Sequence, residues 1–367
     1  MDLSLTEEQE LLRRVTREFV QREFPKETLL ELEAARRDTT RELWDRARDM
    51  GWLGMLIPVE YGGSGNSFTD TAVVFEELGR GPVPGPFFSS GVLAALAIVE
   101  GGTEEQKREL LPGIASGDCV VGVAVTEADY GWTPESVGMT LTSRNGSFSL
   151  SGVKLFVQDA GSATHFLCAV RAGGDVALAM IEARFPGLNV RALDGFMTSM
   201  YEVTFHNVEV SPSALLGGGW PAFERALLKA LPVLCAYQVG GMQTVFDMAV
   251  EHSQNRVQFG RPIGRFQRVQ DHIIRLVNYL DSARWTTYEA LWKLDTGRAA
   301  ETSVHVAKAI TAEAHVKACD AAHEVLAGIG IDRGYGLTLH TQMSRTLYSY
   351  LGDPKLHKRK LSDALGL

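Results

Sequence analysis

The hydrophobic period of this chain changes twice, and that rules out a single uniform architecture. Up to about residue 116 apolar residues recur at helical spacing. Thr6 and Gln9 form a capping box, and Leu11, Leu12, Val15 and Phe19 follow as one stripe. A second helix runs through ELWDRARDMGWLG and is closed by glycine. A third runs through TDTAVVFEELGRG, with Val73, Val74 and Leu78 on one side and Gly79 or Gly81 as its stop. IPVEYGGSGNS between them reads as a loop, because its glycines lack the preceding strand and following lysine of a phosphate-binding loop. From about 118 to 215 the pattern becomes short β-branched or alternating runs: VVGVAVTE, MTLTS, SFSLSG, HFLCAV, VALAMI and YEVTFHNVEV. Asn145-Gly146 is a hairpin signal between two of them. From Trp220 onward long amphipathic helical segments return, with Met242, Phe246 and Ala249 as one stripe and Ile273, Ile274 and Val277 as another. The expected architecture is α+β and multidomain: an N-terminal α-helical domain (1–116), a central small β-barrel or sandwich (117–216) and a C-terminal four-helix bundle (217–367).

Charge and cysteine usage narrow the function. A formal net charge of −9 argues against nucleic acid, whose phosphates need clustered Lys and Arg. The local basic run Lys355, His357, Lys358, Arg359 and Lys360 reads as a solvated helix end. Cys119, Cys168, Cys235 and Cys319 are far apart in apolar settings. That argues against a metal cage or redox pair and fits free thiols in a reducing cytoplasm. The start, MDLSLTEEQELL, is acidic where a signal peptide is basic, and no apolar run is long enough to span a membrane.

The stretch RVQFGRPIGRFQ (256–267) breaks an amphipathic helix and then lets helix resume. Gly260 and Pro262 explain the corner, but not Arg256, Phe259 and Gln267. Arg256, Phe259-Gly260, Ile263 and Phe266-Gln267 resemble the R-x-x-F-G-x-x-I-x-x-[FH]-Q signature of acyl-CoA dehydrogenases, which are FAD flavoenzymes. LTEEQELL, the loop at 57–65 with EELGR after it, GTEEQKRELLP, VAVTE with SGVKLFVQDA, FHNVEVSPSALLG and AGIGI resemble further family segments in the family's order. The resemblance implies that Arg256 contacts the FAD pyrophosphate from a neighbouring subunit, with Phe259 against the cofactor and Gln267 on its adenosine half. It implies that Thr126 donates to the flavin ring and Phe156 covers one ring face. Val125, Ile263, Phe266, Glu324 and Gly328 complete the implied cofactor-binding set. No metal is implied.

Family chemistry removes the α-proton of an acyl-CoA thioester with a glutamate while hydride leaves the β-carbon for the flavin. The thioester oxygen is held by a backbone N–H and a ribityl hydroxyl. This sequence departs from the pattern at the base. The commoner glutamate position is Leu351, and the alternative one is Ala230, with Leu231 where its arginine neighbour stands. Asp129-Tyr130-Gly131-Trp132 replaces the serine and glycines that help hold the CoA arm, and Ala327 and Glu324 replace a Gly and a Gln. Asp353 and Glu324 are the acids to weigh as substitutes; for Asp353 a helix-terminal aspartate before Pro354 is the favoured reading, and for Glu324 a cofactor contact. The resemblance therefore implies a subunit of a heteromeric acyl-CoA dehydrogenase whose paralogous partner supplies the glutamate. Its substrate would be a bulky or steroid-type acyl-CoA, and its acceptor an electron-transferring flavoprotein or similar protein. The alternatives are a homomeric enzyme with a non-standard base, a flavin monooxygenase, or a non-catalytic member of the fold.

Overall fold

The computed structural model describes residues 4–35, 39–144, 146–195 and 200–367. In chain order its helices are α1 (Glu7–Glu23), α2 (Lys26–Ala35), α3 (Arg41–Arg48), α4 (Phe68–Arg80), α5 (Ala95–Gly101), α6 (Glu104–Ser116), α7 (Gly219–Asn255), α8 (Gln267–Asp295), α9 (Glu301–Leu326), α10 (Gly328–Ile331), α11 (Leu337–Ser349) and α12 (Pro354–Ala364). The strands are β1 (Val121–Ala124), β2 (Leu141–Arg144), β3 (Ser147–Gln158), β4 (His165–Ala172), β5 (Asp175–Glu182), β6 (Leu188–Ala192), β7 (Met200–Val210), β8 (Leu215–Leu216), and the two-residue β9 (Val257–Gln258) and β10 (Arg261–Pro262). The chain forms two compact units: Met1–Arg36 with Phe68–Val83 and Leu231–Leu367, and Arg37–Ser67 with Pro84–Ala230.

In the second unit two four-stranded sheets, ordered β1-β4-β5-β8 and β2-β3-β7-β6, bury one core between them. Ala124, Phe166, Cys168 and Ala179 enter it from the first sheet, and Leu141, Leu150, Val203 and Phe205 from the second. This is the sandwich alternative of the expected β-domain. β2 and β3 pair antiparallel up to Arg144 opposite Ser147, the register of a two-residue hairpin; Asn145 itself lies outside the described residues. β6 is absent from the sequence reading because most of its residues face solvent, so it carries no buried alternation.

The first unit is built around α9, which is buried on nearly all sides. Four helices share its core: Val239, Met242, Val245 and Ala249 from α7, Leu276, Leu280 and Ala283 from α8, Ala318, Ala322 and Val325 from α9, and Leu337 from α11. The expected α8 stripe needs correction, because Ile274 is 55% exposed and the buried face runs through Leu276, Leu280, Ala283 and Thr287. α1 needs the same correction. Its capping box forms, with Gln9 N donating to Thr6 Oγ1, but Leu11 and Val15 face solvent while Thr16, Phe19 and Val20 are buried. The buried side of α1 is set by α4, where Glu77 accepts Arg17 at 2.8 Å from Nε.

α4 and α7 approach each other through glycine. A Cβ on Gly240 would lie 1.8 Å from the Glu76 carbonyl oxygen, and one on Gly79 equally close to that of Tyr237. Tyr237 Oη also donates to the Val83 carbonyl, at 3.1 Å. Gly240→Ala should therefore force the two helices apart and lower stability by about 1–3 kcal/mol. Thermal or denaturant unfolding of the purified variant measures this.

Candidate functional site

In the sandwich unit the predicted residues Val125 and Thr126 follow β1 and are both buried. Leu155 N donates to Thr126 O at 2.9 Å, and the Thr126 hydroxyl donates to the Leu155 carbonyl in a short hydrogen bond. Thr126 is thus joined to β3 through both its backbone carbonyl and its hydroxyl. The register of β3 against β7 slips between Lys154 and Val157, and Phe156 in that slip adopts φ 56°. Its ring is half-exposed and stands edge-on to Tyr130, with centroids 4.8 Å apart. Tyr130 is itself left-handed, at φ 57°, and Trp132 is buried.

Sequence reasoning missed the residue that holds this segment. Lys154 is fully buried; its Nζ donates to Val125 O at 3.1 Å and to Glu127 Oε1 at 2.7 Å. The Glu127 carboxylate also accepts the Met139 N–H at 3.0 Å. One buried ammonium thus ties the loop after β1 to β3. The signal was a lysine inside SGVKLFVQ, where the alternation of β3 places it inward. Removing it leaves Glu127 uncompensated, so Lys154→Met should cost about 3 kcal/mol of unfolding free energy, measurable by denaturant titration.

In the helical unit α7 ends at Asn255, and β9 and β10 make a hairpin whose two central residues are Phe259 and Gly260. Both have positive φ, 51° and 77°, as a type I′ turn requires. The turn explains the Phe-Gly pair and projects the Phe259 ring into solvent, 92% exposed. Phe266 lies edge-on to that ring at 6.1 Å and carries the Arg261 guanidinium 4.4 Å above its own face. Ile263 N donates to Arg256 O at 2.9 Å, which fixes the hairpin base, and exposed Gln267 opens α8. The Arg256 guanidinium is exposed and makes no hydrogen bond or ion pair among the described residues. The structure thus brings Arg256, Phe259, Ile263, Phe266 and Gln267 onto one hairpin and the helix start beside it. A free guanidinium near an uncovered aromatic ring fits a phosphate-bearing aromatic cofactor.

Glu324 is exposed near the end of α9, and Gly328 is exposed at the start of α10. Between them Ala327 is forced to φ 52°, ψ −132°, a conformation that suits glycine. The following turn returns to the end of α7, where Tyr335 meets His252 at 6.4 Å between ring centroids.

Neither base position carries a carboxylate. Ala230 and Leu231 are buried in α7, and Leu351 is fully buried at φ 60°. Asp353 caps α12, accepting the Leu356 N–H at 2.8 Å, so its carboxylate is committed to the helix end. The basic run at 355–360 is corrected by the structure: it occupies the first half of α12, with Lys358 paired to Glu313, and His357 within it is buried.

A helical, sandwich and helical order carrying this hairpin defines a flavin-dependent acyl thioester dehydrogenase fold. The family description "Acyl-CoA dehydrogenase, N-terminal domain" matches residues 6–118 and "Acyl-CoA dehydrogenase, C-terminal domain" matches 217–366. The chain belongs to the acyl-CoA dehydrogenase family; it is an FAD-dependent oxidoreductase. A curated relative, the L-prolyl-[peptidyl-carrier protein] dehydrogenase of Serratia sp. (strain ATCC 39006), is 28% identical over 342 residues, 89% of each chain. The solved structure of PigA with FAD and proline superposes with a TM-score of 0.93 at 25% identity, covering 100% of both chains. A chain of the ChsE4-ChsE5 complex from Mycobacterium tuberculosis shares the fold, with a TM-score of 0.91 at 24% identity over 100% of this chain and 99% of that one. Among the described residues no helix is long and apolar enough to cross a membrane.

Proposed function

We propose that this chain serves α,β-dehydrogenation of an acyl-CoA thioester as the base-lacking subunit of a heteromeric acyl-CoA dehydrogenase. The observation that carries the reading is the pair of buried alkyl side chains, Leu351 and Ala230, at both positions where the family keeps its glutamate. The nearby Asp353 is spent as a helix cap, and Glu324 faces solvent. A paralogous partner then supplies the carboxylate that removes the α-proton. Bound FAD supplies the hydride acceptor, and an electron-transferring flavoprotein or similar protein takes the electrons onward.

This chain's own contribution is binding and orientation. Arg256 offers its guanidinium to the FAD pyrophosphate, with Phe259 and Phe266 as aromatic cover and Gln267 on the adenosine half. Ile263, Glu324 and Gly328, and in the sandwich unit Val125, Thr126 and Phe156, complete the cofactor-binding set that the resemblance implies. Leu351 keeps a backbone N–H that finds no acceptor among the described residues, although the residue is fully buried. A buried donor without a partner is costly, so a bound thioester oxygen gives it a reason to persist. The acyl group we favour is a bulky, steroid-type one, on the resemblance of the segment LGDPKLHKRKLSDALGL to family members that take such substrates. The Serratia relative supports a second reading, a thioester on a carrier protein, which presents the same pantetheine arm.

Two measurements test the reading. Arg256→Ala should lose about 1.5–3 kcal/mol of FAD binding, seen as loss of flavin on gel filtration; full flavin content in the variant contradicts the assignment. Under anaerobic conditions acyl-CoA and acyl-carrier-protein thioesters, linear and steroid-like, should bleach the flavin of the isolated chain about 10²–10⁴-fold more slowly than that of the chain with a glutamate-bearing paralogue. Rapid bleaching by the chain alone overturns the partner-subunit reading.

A further inference from the structure

The turn between α11 and α12 is buried from Tyr350 through Gly352, and its backbone is tied down by side chains from α9 and α12. A helix that ran on past Ser349 would pair the Leu351 N–H with the Leu347 carbonyl, four residues back. Here the fully buried Lys308 occupies that carbonyl, donating from Nζ at 3.0 Å. Leu351 and Gly352 both turn left-handed, at 60° and 102°, which carries the 351 peptide out of the helical path. His357 sits directly on the turn: a Cβ on Gly352 would come within 2.9 Å of its Nε2.

The hydrogen positions follow from the acceptors. His357 Nε2 lies 3.0 Å from the Leu351 carbonyl, which only accepts, so Nε2 bears the hydrogen. His357 Nδ1 is then an acceptor, and His305 Nδ1, 3.1 Å away, must donate to it. A directed relay thus runs from α9 through α12 to the turn. Burial holds both imidazoles neutral, taking His357 down to about 3 with help from the Lys308 charge, and His305 to about 4 with help from Lys360.

We propose that Lys308, His305 and His357 are positioning residues for the acyl thioester, holding the 351 peptide so that its N–H is withheld from the helix and kept for the thioester oxygen. Lys308 takes the competing carbonyl, and the histidine relay anchors the far side of the same residue. The proposal rests on the reading that the 351 amide grips the thioester, and adds the machinery that keeps it available.

The test compares the affinity of the FAD-loaded full chain for butyryl-CoA and for S-butyl-CoA, a thioether that lacks the carbonyl oxygen. Calorimetry should show a preference of about tenfold for the thioester in the parent chain, the size of one net hydrogen bond. His357→Leu and Lys308→Met should lose that preference while S-butyl-CoA affinity stays unchanged. His357→Gln should keep it, because its amide can donate to Leu351 O and accept from His305. A purely structural role would lower stability but leave the ratio alone. A parent preference that survives in folded His357→Leu and Lys308→Met overturns the positioning role and spares the amide grip. A parent chain that binds both compounds without preference overturns both.

Discussion

A buried backbone turn must find partners for its polar groups, and in this chain they come from α9. That helix is buried on almost every side and yet carries Lys308, His305 and His315 inward. Lys308 completes the end of α11, and His305 reaches the next turn through His357. Burial takes the Lys308 ammonium down to about 8, so the helix holds a cation at substantial desolvation cost in order to satisfy one carbonyl. A hydrophobic residue of similar volume would pack there more cheaply, which is why the arrangement reads as positional. The geometry of residues 350–353 depends on it.

The sandwich unit solves a similar problem in a similar way. The loop after β1 carries Val125, Thr126 and Glu127, and the fully buried Lys154 fastens it to β3. The slip that follows in β3 frees Phe156 from the ladder and sets its ring beside Tyr130. In both units a buried lysine fixes backbone next to a left-handed aromatic or aliphatic residue. Such residues are held off the favoured backbone conformations at a cost of about 1–3 kcal/mol each, and surrounding contacts must over-determine them.

Much of the fold was legible because local signals agreed with tertiary structure. The change of period marked the sandwich, the Thr6–Gln9 box marked the start of α1, and Phe-Gly in RVQFGRPIGRFQ marked a corner that proves to be a type I′ hairpin. What failed was the choice of face. On α1 and α8 the apolar residues are too evenly spread for period alone to select the buried side, so the apolar stripes include Leu11, Val15 and Ile274, which face solvent. His357 was hidden by its basic neighbours, since charge patterning cannot tell which member of a run turns inward. The hairpin was legible through its signature; Lys154, Lys308 and the histidine relay were not, because they bond backbone carbonyls and side chains distant in sequence, which leave no local pattern.

The reading proposed for this chain is that residue 351 retains the amide of an acyl thioester site whose base, and whose serine and glycines for the CoA arm, are replaced. Introducing that base tests the claim most directly: Leu351→Glu, with FAD bound, under anaerobic conditions and with no partner chain present. Flavin reduction by an acyl-CoA thioester should then be faster than in the parent chain, by one to several orders of magnitude, since a positioned general base contributes about 10²–10⁴-fold. A folded, flavin-loaded Leu351→Glu chain that binds the thioester and reduces its flavin no faster than the parent would contradict it.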